Sequence, residues 1–288
     1  MRKVIMITGS SSGIGLAAAK SLAKKGFDII GVGRNEEKCY KAVNEIRNEN
    51  VDVKVYYFAA DLSLQTEIRR MCSEIGEYLN QHYDGRLDCL VNNAGVFTTY
   101  YTLTDEGFEM QFAVNHLAHF LITDLMMPML KKSKNPKVLT TSSSSHYGAK
   151  IDFDNLMLSR KYNQLRAYKR TKLMNVLFTY ELNKRYVDVD NFEAYAVDPA
   201  LVNTSMGDKN TNGLAKLVWS IRRHKGVSPE EGARTIVYLA SEHTEGCTNG
   251  FYYKNCKVKR PNRRGIDQLT ASRLWDISEK YCKAEEAI

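Results

Sequence analysis

The regular alternation of apolar runs with amphipathic stretches in the first half is the feature that most constrains the fold of this chain. Apolar, β-rich runs lie near residues 3–8, 28–32, 53–59, 87–92 and 137–142, and the stretches between them have helical periodicity. Strands that alternate with helices are joined by right-handed crossovers, which favour a parallel sheet covered by helices on both faces. We therefore predict a doubly wound α/β fold whose ligands bind beyond the carboxyl ends of the strands.

A single domain is predicted for residues 1–288. The chain is 43% apolar, which is enough for one substantial core, and its five prolines are scattered. No linker, low-complexity tract or repeat divides the sequence. The first apolar run begins at Lys3, which leaves no room for a signal peptide, and no run reaches the ~18 apolar residues that span a bilayer. We therefore expect a cytoplasmic protein with no integral membrane segment.

Cysteines and charge restrict the partners that the chain could bind. Its six cysteines form no CxxC pair, so neither a metal site nor a disulfide framework is predicted. The net charge of +8 suits nucleic acid, an anionic membrane or an anionic cofactor. The densest basic runs, residues 222–225 and 257–264, lack interleaved aromatic side chains. A solvated basic face is therefore favoured, and we expect no binding of nucleic acid.

A glycine-rich turn, TGSSSGIG at residues 8–15, follows the first strand and opens a helix. Glycines allow positive φ angles and a close approach of the backbone, so a pyrophosphate can bind the free N–H groups at the amino end of the helix. We predict that this turn binds the phosphates of a dinucleotide. Its candidate cofactor-binding residues are Gly9, Ser10, Ser12, Gly13, Ile14 and Gly15.

The end of the second strand indicates which dinucleotide is bound. An NAD-selective fold places an acidic residue here on the ribose 2′-hydroxyl, but the sequence after Val32 is Gly33-Arg34-Asn35. The guanidinium of Arg34 is able to pair with a 2′-phosphate. NADP(H) is therefore the preferred cofactor. NAD(H) remains possible if Arg34 only occupies a surface turn.

Tyr168 and Lys172 form the candidate acid/base pair. They are four residues apart in a stretch, residues 163–185, with a helical pattern, so both side chains project from one face. A neighbouring ammonium favours the phenolate and is expected to lower the pKa of the tyrosine from ~10. This makes Tyr168 a candidate proton donor or acceptor near neutral pH.

Together these motifs resemble the short-chain dehydrogenase/reductase family. The TGxxxGxG turn, Asn92-Asn93-Ala94-Gly95 as the NNAG motif, and Tyr168 to Lys172 as YxxxK match the family's pattern. The resemblance continues through Asn115, the serine cluster at 142–145 and the Pro199 region, so it spans nearly the whole chain. It implies a single-domain Rossmann fold and reversible hydride transfer between a nicotinamide and an alcohol or carbonyl carbon.

The resemblance also assigns roles to individual residues. The catalytic set becomes Asn115, Ser143, Tyr168 and Lys172, with Ser142 and Ser144 as alternatives to Ser143. In addition to Arg34 and the glycine-rich turn, the implied cofactor contacts are Asp61 near the adenine, Asn92 and Gly95 along the ribose, Tyr168, Lys172 and Val202, and Thr204 on the nicotinamide carboxamide. One departure is Ala200, which stands where the family usually has the glycine of a Pro-Gly turn. A Cβ there could shift the backbone toward the nicotinamide.

Residues 151–156 and 274–279 are similar to the branch that contains retinol dehydrogenases and WW-domain oxidoreductase. That branch implies a bulky apolar substrate, such as a steroid or retinoid, and the family implies a homodimer or homotetramer. The segment near 204–226 corresponds to the family's substrate lid. Within it, residues 214–221 are apolar on one side and basic on the other, so contact with an anionic membrane surface is an alternative.

Three other functions compete with this interpretation. A non-catalytic regulatory or scaffold protein could keep the fold and bind the cofactor without turnover. A sugar-nucleotide epimerase or dehydratase would also use Tyr and Lys, but similar members carry TGxxGxxG. A nucleic-acid-binding protein would show a steep dependence of affinity on salt. The intact Ser143, Tyr168 and Lys172 favour the enzyme.

Overall fold

The computed structural model describes residues 2–200, 202, 226–242 and 250–283. Within these residues the strands form one sheet in the order β3-β2-β1-β4-β5-β6-β7-β8. Neighbouring strands from β3 to β7 are parallel, and β8 pairs with β7 in the antiparallel direction. The strands are β1 Val4–Thr8, β2 Asp28–Gly33, β3 Val55–Ala59, β4 Cys89–Asn92, β5 Lys137–Thr141, β6 Glu193–Asp198, β7 Tyr252–Lys254 and β8 Lys257–Val258.

Helices follow most of the strands. They are α1 Gly13–Lys24, α2 Glu36–Arg47, α3 Gln65–Tyr83, the short α4 Met110–Phe112, α5 Ala118–Leu130, α6 Gln164–Arg185, α7 Pro229–Ser241 and α8 Gln268–Lys283. A π-helical turn, Ala113–Leu117, joins α4 to α5. The predicted doubly wound α/β fold is thus confirmed, and the first five strands, β1 to β5, lie within two residues of the limits predicted for them.

The alternation of side chains along β1 explains why helices cover both faces of the sheet. Val4 and Met6 lie in a core cluster with apolar residues of α3, α5, α6 and α8, whereas Ile5 and Ile7 lie in a second cluster with residues of α1 and α7. All five residues of β1 are buried. A strand buried on both sides is a near-continuous apolar run, which is the pattern seen in the sequence.

The order of the strands reverses between β1 and β4, and this switch point determines where a ligand can bind. From β1 the chain winds outward to β2 and β3, then returns to β4 on the other side of β1. The connections leaving β1 and β4 therefore diverge and open a crevice at their carboxyl ends. The glycine-rich turn follows β1, and Asn93 to Gly95 follow β4, so both line this crevice.

Two sequence expectations concern features other than the sheet. In the part of the chain that the structure describes, no helix combines the length and the apolar character needed to cross a membrane. Five of the cysteines are described, and each is a free thiol. Thr204 and all but the last residue of the predicted lid segment lie outside the described residues.

Candidate active site

The glycine-rich turn packs so closely against β4 that side chains are excluded from it. Gly9 has φ +67°, and a Cβ on it would lie 2.9 Å from the Cα of Ala94. A Cβ on Gly15 would lie 2.5 Å from the carbonyl oxygen of Gly9. Since α1 begins at Gly13, the turn brings the amino end of this helix to the crevice. Free N–H groups and the helix dipole at this end favour a bound phosphate.

A cavity of about 690 Å³ extends from the glycine-rich turn across the ends of β2, β3 and β4. This volume is within the range of ~300–1,000 Å³ that is typical of ligand and cofactor sites. At one end it is lined by Arg34, Lys38 and Asp61, and at the other by Gly95, Phe97 and Val114. A polar end, a phosphate-binding turn and a more apolar end fit a nicotinamide dinucleotide.

Two predicted cofactor residues direct their side chains away from this cavity. The Ser10 hydroxyl is buried and donates a 2.9 Å hydrogen bond to the carbonyl of Ile7. The Asn92 side chain is also buried and donates a 2.8 Å hydrogen bond to the Thr123 hydroxyl. Their neighbours Ser11 and Asn93 line the cavity instead. The side chains of Ser10 and Asn92 therefore bond within the fold, whereas the residues that follow them in the sequence reach the cavity.

Arg34 lies at the polar end of the cavity, as the sequence predicted. Its side chain is 71% exposed and forms a long ion pair, 3.8 Å, with Asp61. Lys38 in the first turn of α2 lines the same end. An exposed guanidinium with only one distant carboxylate partner is available to pair with a phosphate, and Lys38 adds a second positive charge. The sequence analysis did not single out Lys38, although it follows Arg34 by four residues.

Asn115 lies in the π-helical turn and fixes the loop that follows β4. Its Oδ1 accepts a 2.7 Å hydrogen bond from the Val96 N–H, and its Nδ2 donates a 3.0 Å hydrogen bond to the Val96 carbonyl. The side chain is completely buried. Single π-helical turns occur frequently at functional sites because the wider turn redirects side chains. Asn115 thus holds Gly95 and Val96 at the edge of the cavity.

Lys172 is buried between α6 and β5. Its ammonium donates a 3.1 Å hydrogen bond to the carbonyl of Thr141 and lies 5.5 Å from the centre of the Tyr168 ring. Burial lowers the pKa of Lys172 to about 8, although the negative charge of Asp198 opposes this shift. The ammonium also lies beside Gly95, where a Cβ would be 3.9 Å from Nζ. Lys172 is therefore close to both Tyr168 and the cavity.

Tyr168 is partly buried, and Phe97 packs edge-on against its ring with the ring centres 5.8 Å apart. Burial is the main cause that raises the pKa of Tyr168 to about 12, and the charge of Asp198 adds to it, while a hydrogen bond with Ser143 opposes both. The lowering expected from Lys172 is not found, because burial and the negative charge of Asp198 raise this pKa instead. Tyr168 therefore holds its proton at neutral pH.

The structure distinguishes the three candidate serines. The Ser142 hydroxyl is buried and donates a 2.8 Å hydrogen bond to the carbonyl of Lys172. Ser144 donates to the carboxylate of Asp198. Ser143 donates a 3.1 Å hydrogen bond to the Ser145 hydroxyl, and it is the only one of the three serines that acts on the pKa of Tyr168, which it lowers. The geometry thus favours Ser143, the residue chosen from the sequence, and gives Ser142 and Ser144 supporting roles.

His116 and His119 are buried behind the site. His119 bonds the carbonyl of Ala94 through Nε2 at 2.8 Å, and His116 contacts the Ser278 hydroxyl at 2.9 Å. Burial lowers the pKa of His116 to about 4 and that of His119 to about 3. Both imidazoles are therefore neutral at pH 7, and each is bonded to a group of the fold.

Asp198 is a residue of this site that the sequence analysis missed. It ends β6, is 1% exposed, and its charge acts on both Tyr168 and Lys172. A charged residue at the end of an apolar strand, directly before Pro199, was the available signal. Beyond it, Ala200 adopts φ +65°, and Val202 bridges to Val227 at the start of the α7 segment.

Comparison with known proteins identifies the family to which the chain belongs. Residues 3–215 match the family model described as short chain dehydrogenase. The chain is 35% identical over 294 residues to retinol dehydrogenase 14 of Mus musculus. This match covers 96% of this chain and 85% of that protein. It is 33% identical over 289 residues to polyprenol dehydrogenase of Homo sapiens, covering 96% and 84% of the two chains.

Among solved structures, the chain is similar to an uncharacterised protein from Mycobacterium paratuberculosis. The TM-score is 0.75 and the sequence identity 31%, and the match covers 98% of this chain and 93% of that one. The similarity thus extends over the whole described fold, including the segments that form the crevice.

Proposed function

This chain belongs to the short-chain dehydrogenase family, and we propose that it is an NADP(H)-dependent oxidoreductase that interconverts a bulky apolar alcohol and its carbonyl compound. The coarser part of this statement, oxidation or reduction of an alcohol or carbonyl group, follows from the family. The cofactor preference and the substrate class are proposals. The observation that carries the function is the contact of Tyr168 with Lys172, whose Nζ lies 5.5 Å from the ring centre. Tyr168 packs on Phe97 and Lys172 lies beside Gly95, and both of these neighbours line the cavity.

The residues of this chain would hold the cofactor along the cavity. The glycine-rich turn would bind the pyrophosphate, and Arg34 with Lys38 would pair with the 2′-phosphate. Lys172, beside Gly95, is placed to contact the ribose near the nicotinamide. When bound, the reduced nicotinamide supplies a hydride for the substrate carbon.

Tyr168 would supply the proton for the substrate oxygen. Tyr168 is a neutral hydroxyl at pH 7, with a pKa of about 12, so it holds the proton that reduction requires, and donation depends on stabilisation of the phenolate that forms. Ser143 would donate a second hydrogen bond to the same oxygen and stabilise the negative charge that develops there. Lys172 would stabilise the phenolate left on Tyr168 after the proton has moved. The same residues run the oxidation in reverse, with Tyr168 accepting the proton.

The apolar side chains at the far end of the cavity support a large apolar substrate. Phe97, Met110 and Val114 line this end, and Phe97 packs on the ring of Tyr168. A substrate whose carbonyl reaches Tyr168 would place its apolar part against these side chains. Two relatives, a retinol dehydrogenase and a polyprenol dehydrogenase, have names that agree with such substrates.

The test is a turnover assay at the absorbance band of the reduced nicotinamide. Retinal, a polyprenal and a steroid ketone would be compared with small aldehydes, each with NADPH and separately with NADH. We expect the highest kcat/KM for an apolar substrate with NADPH. Equal rates with NADH would contradict the cofactor proposal. NADPH binding without any turnover would favour the non-catalytic alternative.

A further inference from the structure

The buried carboxylate of Asp198 connects two segments that border the active site. Each of its oxygens serves a different segment: Oδ1 bonds the turn that follows β6, and Oδ2 bonds the serine segment that follows β5. The side chain is 1% exposed, so these contacts are made in a dry environment. Hydrogen bonds to a charged acceptor in such an environment are stronger and more directional than those at a surface.

At Oδ1, the carboxylate stabilises a backbone conformation that alanine disfavours. Ala200 has φ +65°, in the left-handed region where the Cβ of an L-residue crowds the following carbonyl. The Ala200 N–H donates a 2.9 Å hydrogen bond to Asp198 Oδ1. Aspartate commonly stabilises such turns by accepting from the N–H two residues later. The bond therefore offsets the strain that Ala200 introduces.

At Oδ2, the carboxylate accepts from side chains of strand β7 and of the serine segment that follows β5. The Tyr252 hydroxyl donates at 3.0 Å, the Ser144 hydroxyl also donates, and the Lys254 ammonium forms an ion pair at 3.4 Å. Lys254 also donates to the Ser144 hydroxyl at 2.8 Å. Lys254 thus neutralises the buried charge, and Ser144 is fixed immediately beside Ser143.

The turn held by Oδ1 leads directly to the wall of the cavity. Two residues beyond Ala200, the Val202 side chain lies against Gly232 of α7, where Ile14 of the glycine-rich turn also makes contact. Ile14 lines the cavity. A change in the conformation of Ala200 would therefore move Val202 relative to the segment that binds the pyrophosphate.

We propose that Asp198 is a positioning residue, which holds the strained Ala200 turn and the serine segment in the geometry that the cofactor requires. The inference rests on the proposed function, because the geometry in question is that of the NADP(H) site. It also explains how this chain accommodates alanine in a left-handed turn: the aspartate side chain supplies the stabilisation that a glycine would not need.

The experiment is a double-mutant comparison of NADPH affinity, measured by the fluorescence of the bound cofactor. The four proteins are the unsubstituted chain, Asp198→Ala, Ala200→Gly, and the two changes together. We expect Asp198→Ala to weaken NADPH binding about tenfold when residue 200 is alanine, but by less than about twofold when it is glycine. Glycine should rescue affinity because it adopts φ +65° without strain. Equal weakening in both backgrounds would overturn the inference.

Two further variants keep the test decisive if Asp198→Ala does not fold. Tyr252→Phe removes one donor to Oδ2 while leaving Oδ1 in place, and it should keep the NADPH affinity within about twofold of the unsubstituted protein. Asp198→Asn keeps an acceptor for Ala200 but turns an N–H2 group toward the donors at Oδ2, so any loss of affinity should be the same with alanine or glycine at residue 200. A tenfold loss in Tyr252→Phe, or a loss in Asp198→Asn that glycine rescues, would overturn the inference.

Hydrogen exchange separates failure of this inference from failure of the proposed function. The backbone amide of Ala200 should be protected in the unsubstituted protein and in Asp198→Asn, and should exchange faster in Asp198→Ala, with no cofactor present. Unchanged exchange in Asp198→Ala would overturn the inference. Absence of NADPH binding by the unsubstituted protein, with the expected exchange pattern, would instead contradict the cofactor proposal.

Discussion

The Lys172 ammonium lies 5.5 Å from the centre of the Tyr168 ring, one helical turn along α6, and is held there by the carbonyl of Thr141. Burial affects the two groups in the same sense, because it favours the neutral form of each. The pKa of Tyr168 rises to about 12 and that of Lys172 falls to about 8. At neutral pH Tyr168 is therefore protonated, and it holds the proton that it would donate.

Removing the Tyr168 hydroxyl should abolish turnover but not cofactor binding. For Tyr168→Phe we expect kcat to fall by ~10²–10⁴, which is the usual contribution of a general acid. The Kd for NADPH should change little, because the ring and Lys172 remain. Tyr147→Phe is the matched control, since its hydroxyl bonds the Arg260 carbonyl at the surface. Equal losses in the two variants would contradict the role of Tyr168.

Arg34 should determine the preference for NADPH. Arg34→Ser removes a guanidinium that is 71% exposed at the cavity. The KM for NADPH should rise by about 10–100-fold, as expected for a lost hydrogen bond to a charged group, while the KM for NADH stays within about twofold. Lys41→Ser on α2, which pairs with Glu37, removes the same charge outside the cavity and serves as the control. A parallel rise in both KM values would show that Arg34 does not recognise the 2′-phosphate.

Asn115 should contribute to stability through Val96. Asn115→Ala leaves the Val96 N–H without its 2.7 Å acceptor, so the free energy of unfolding should fall by ~1–3 kcal/mol. Thr171→Val removes a weaker contact of the same amide, 3.3 Å, and should cost less. Urea denaturation measures both. A larger loss in Thr171→Val would argue against the Val96 bonds as the main contribution.

Gly15 should be intolerant of a methyl group. In Gly15→Ala the new Cβ would lie 2.5 Å from the Gly9 carbonyl oxygen, so the glycine-rich turn must shift. We expect loss of NADPH binding together with a lower melting temperature. Gly148→Ala is the control, because its nearest neighbour is the end of the Lys169 side chain at 3.7 Å. Retained NADPH affinity in Gly15→Ala would contradict the assignment of this turn.

The buried histidines should make the protein less stable in acid. His119 has a pKa of about 3 in the folded protein and ~6.5 when unfolded, so below pH 6.5 the unfolded chain binds the additional proton. Its contribution is present above pH ~6.5 and is lost as the pH falls toward the folded value. Near pH 5, His119→Gln should reduce the slope of unfolding free energy against pH by about 1.4 kcal/mol per unit. An unchanged slope, measured by urea denaturation at several pH values, would mean that His119 is already protonated.

Local patterns in the sequence were sufficient to predict the fold and to predict that Tyr168 and Lys172 lie side by side. The alternation of strands and helices reflects burial of the sheet on both faces, and that burial leaves a continuous apolar run in each inner strand. The glycine-rich turn and the four-residue spacing of Tyr168 and Lys172 depend only on neighbours along the chain, so they could be interpreted before any tertiary contact was known.

The tertiary structure decided what depends on distant segments. The side chains of Ser10 and Asn92 turn into the core because Ile7 and Thr123 offer partners there, and no local pattern reveals this. The raised pKa of Tyr168 comes from burial by packed elements and from the negative charge of Asp198, which is distant in the sequence. Asp198 gained its role only when β6, β7 and the serine segment met around one carboxylate. The sequence by itself thus determined the helices and strands and the pairing of Tyr168 with Lys172. Long-range packing determined how the Ser10 and Asn92 side chains are oriented, how far Tyr168 is removed from water, and which groups surround Asp198.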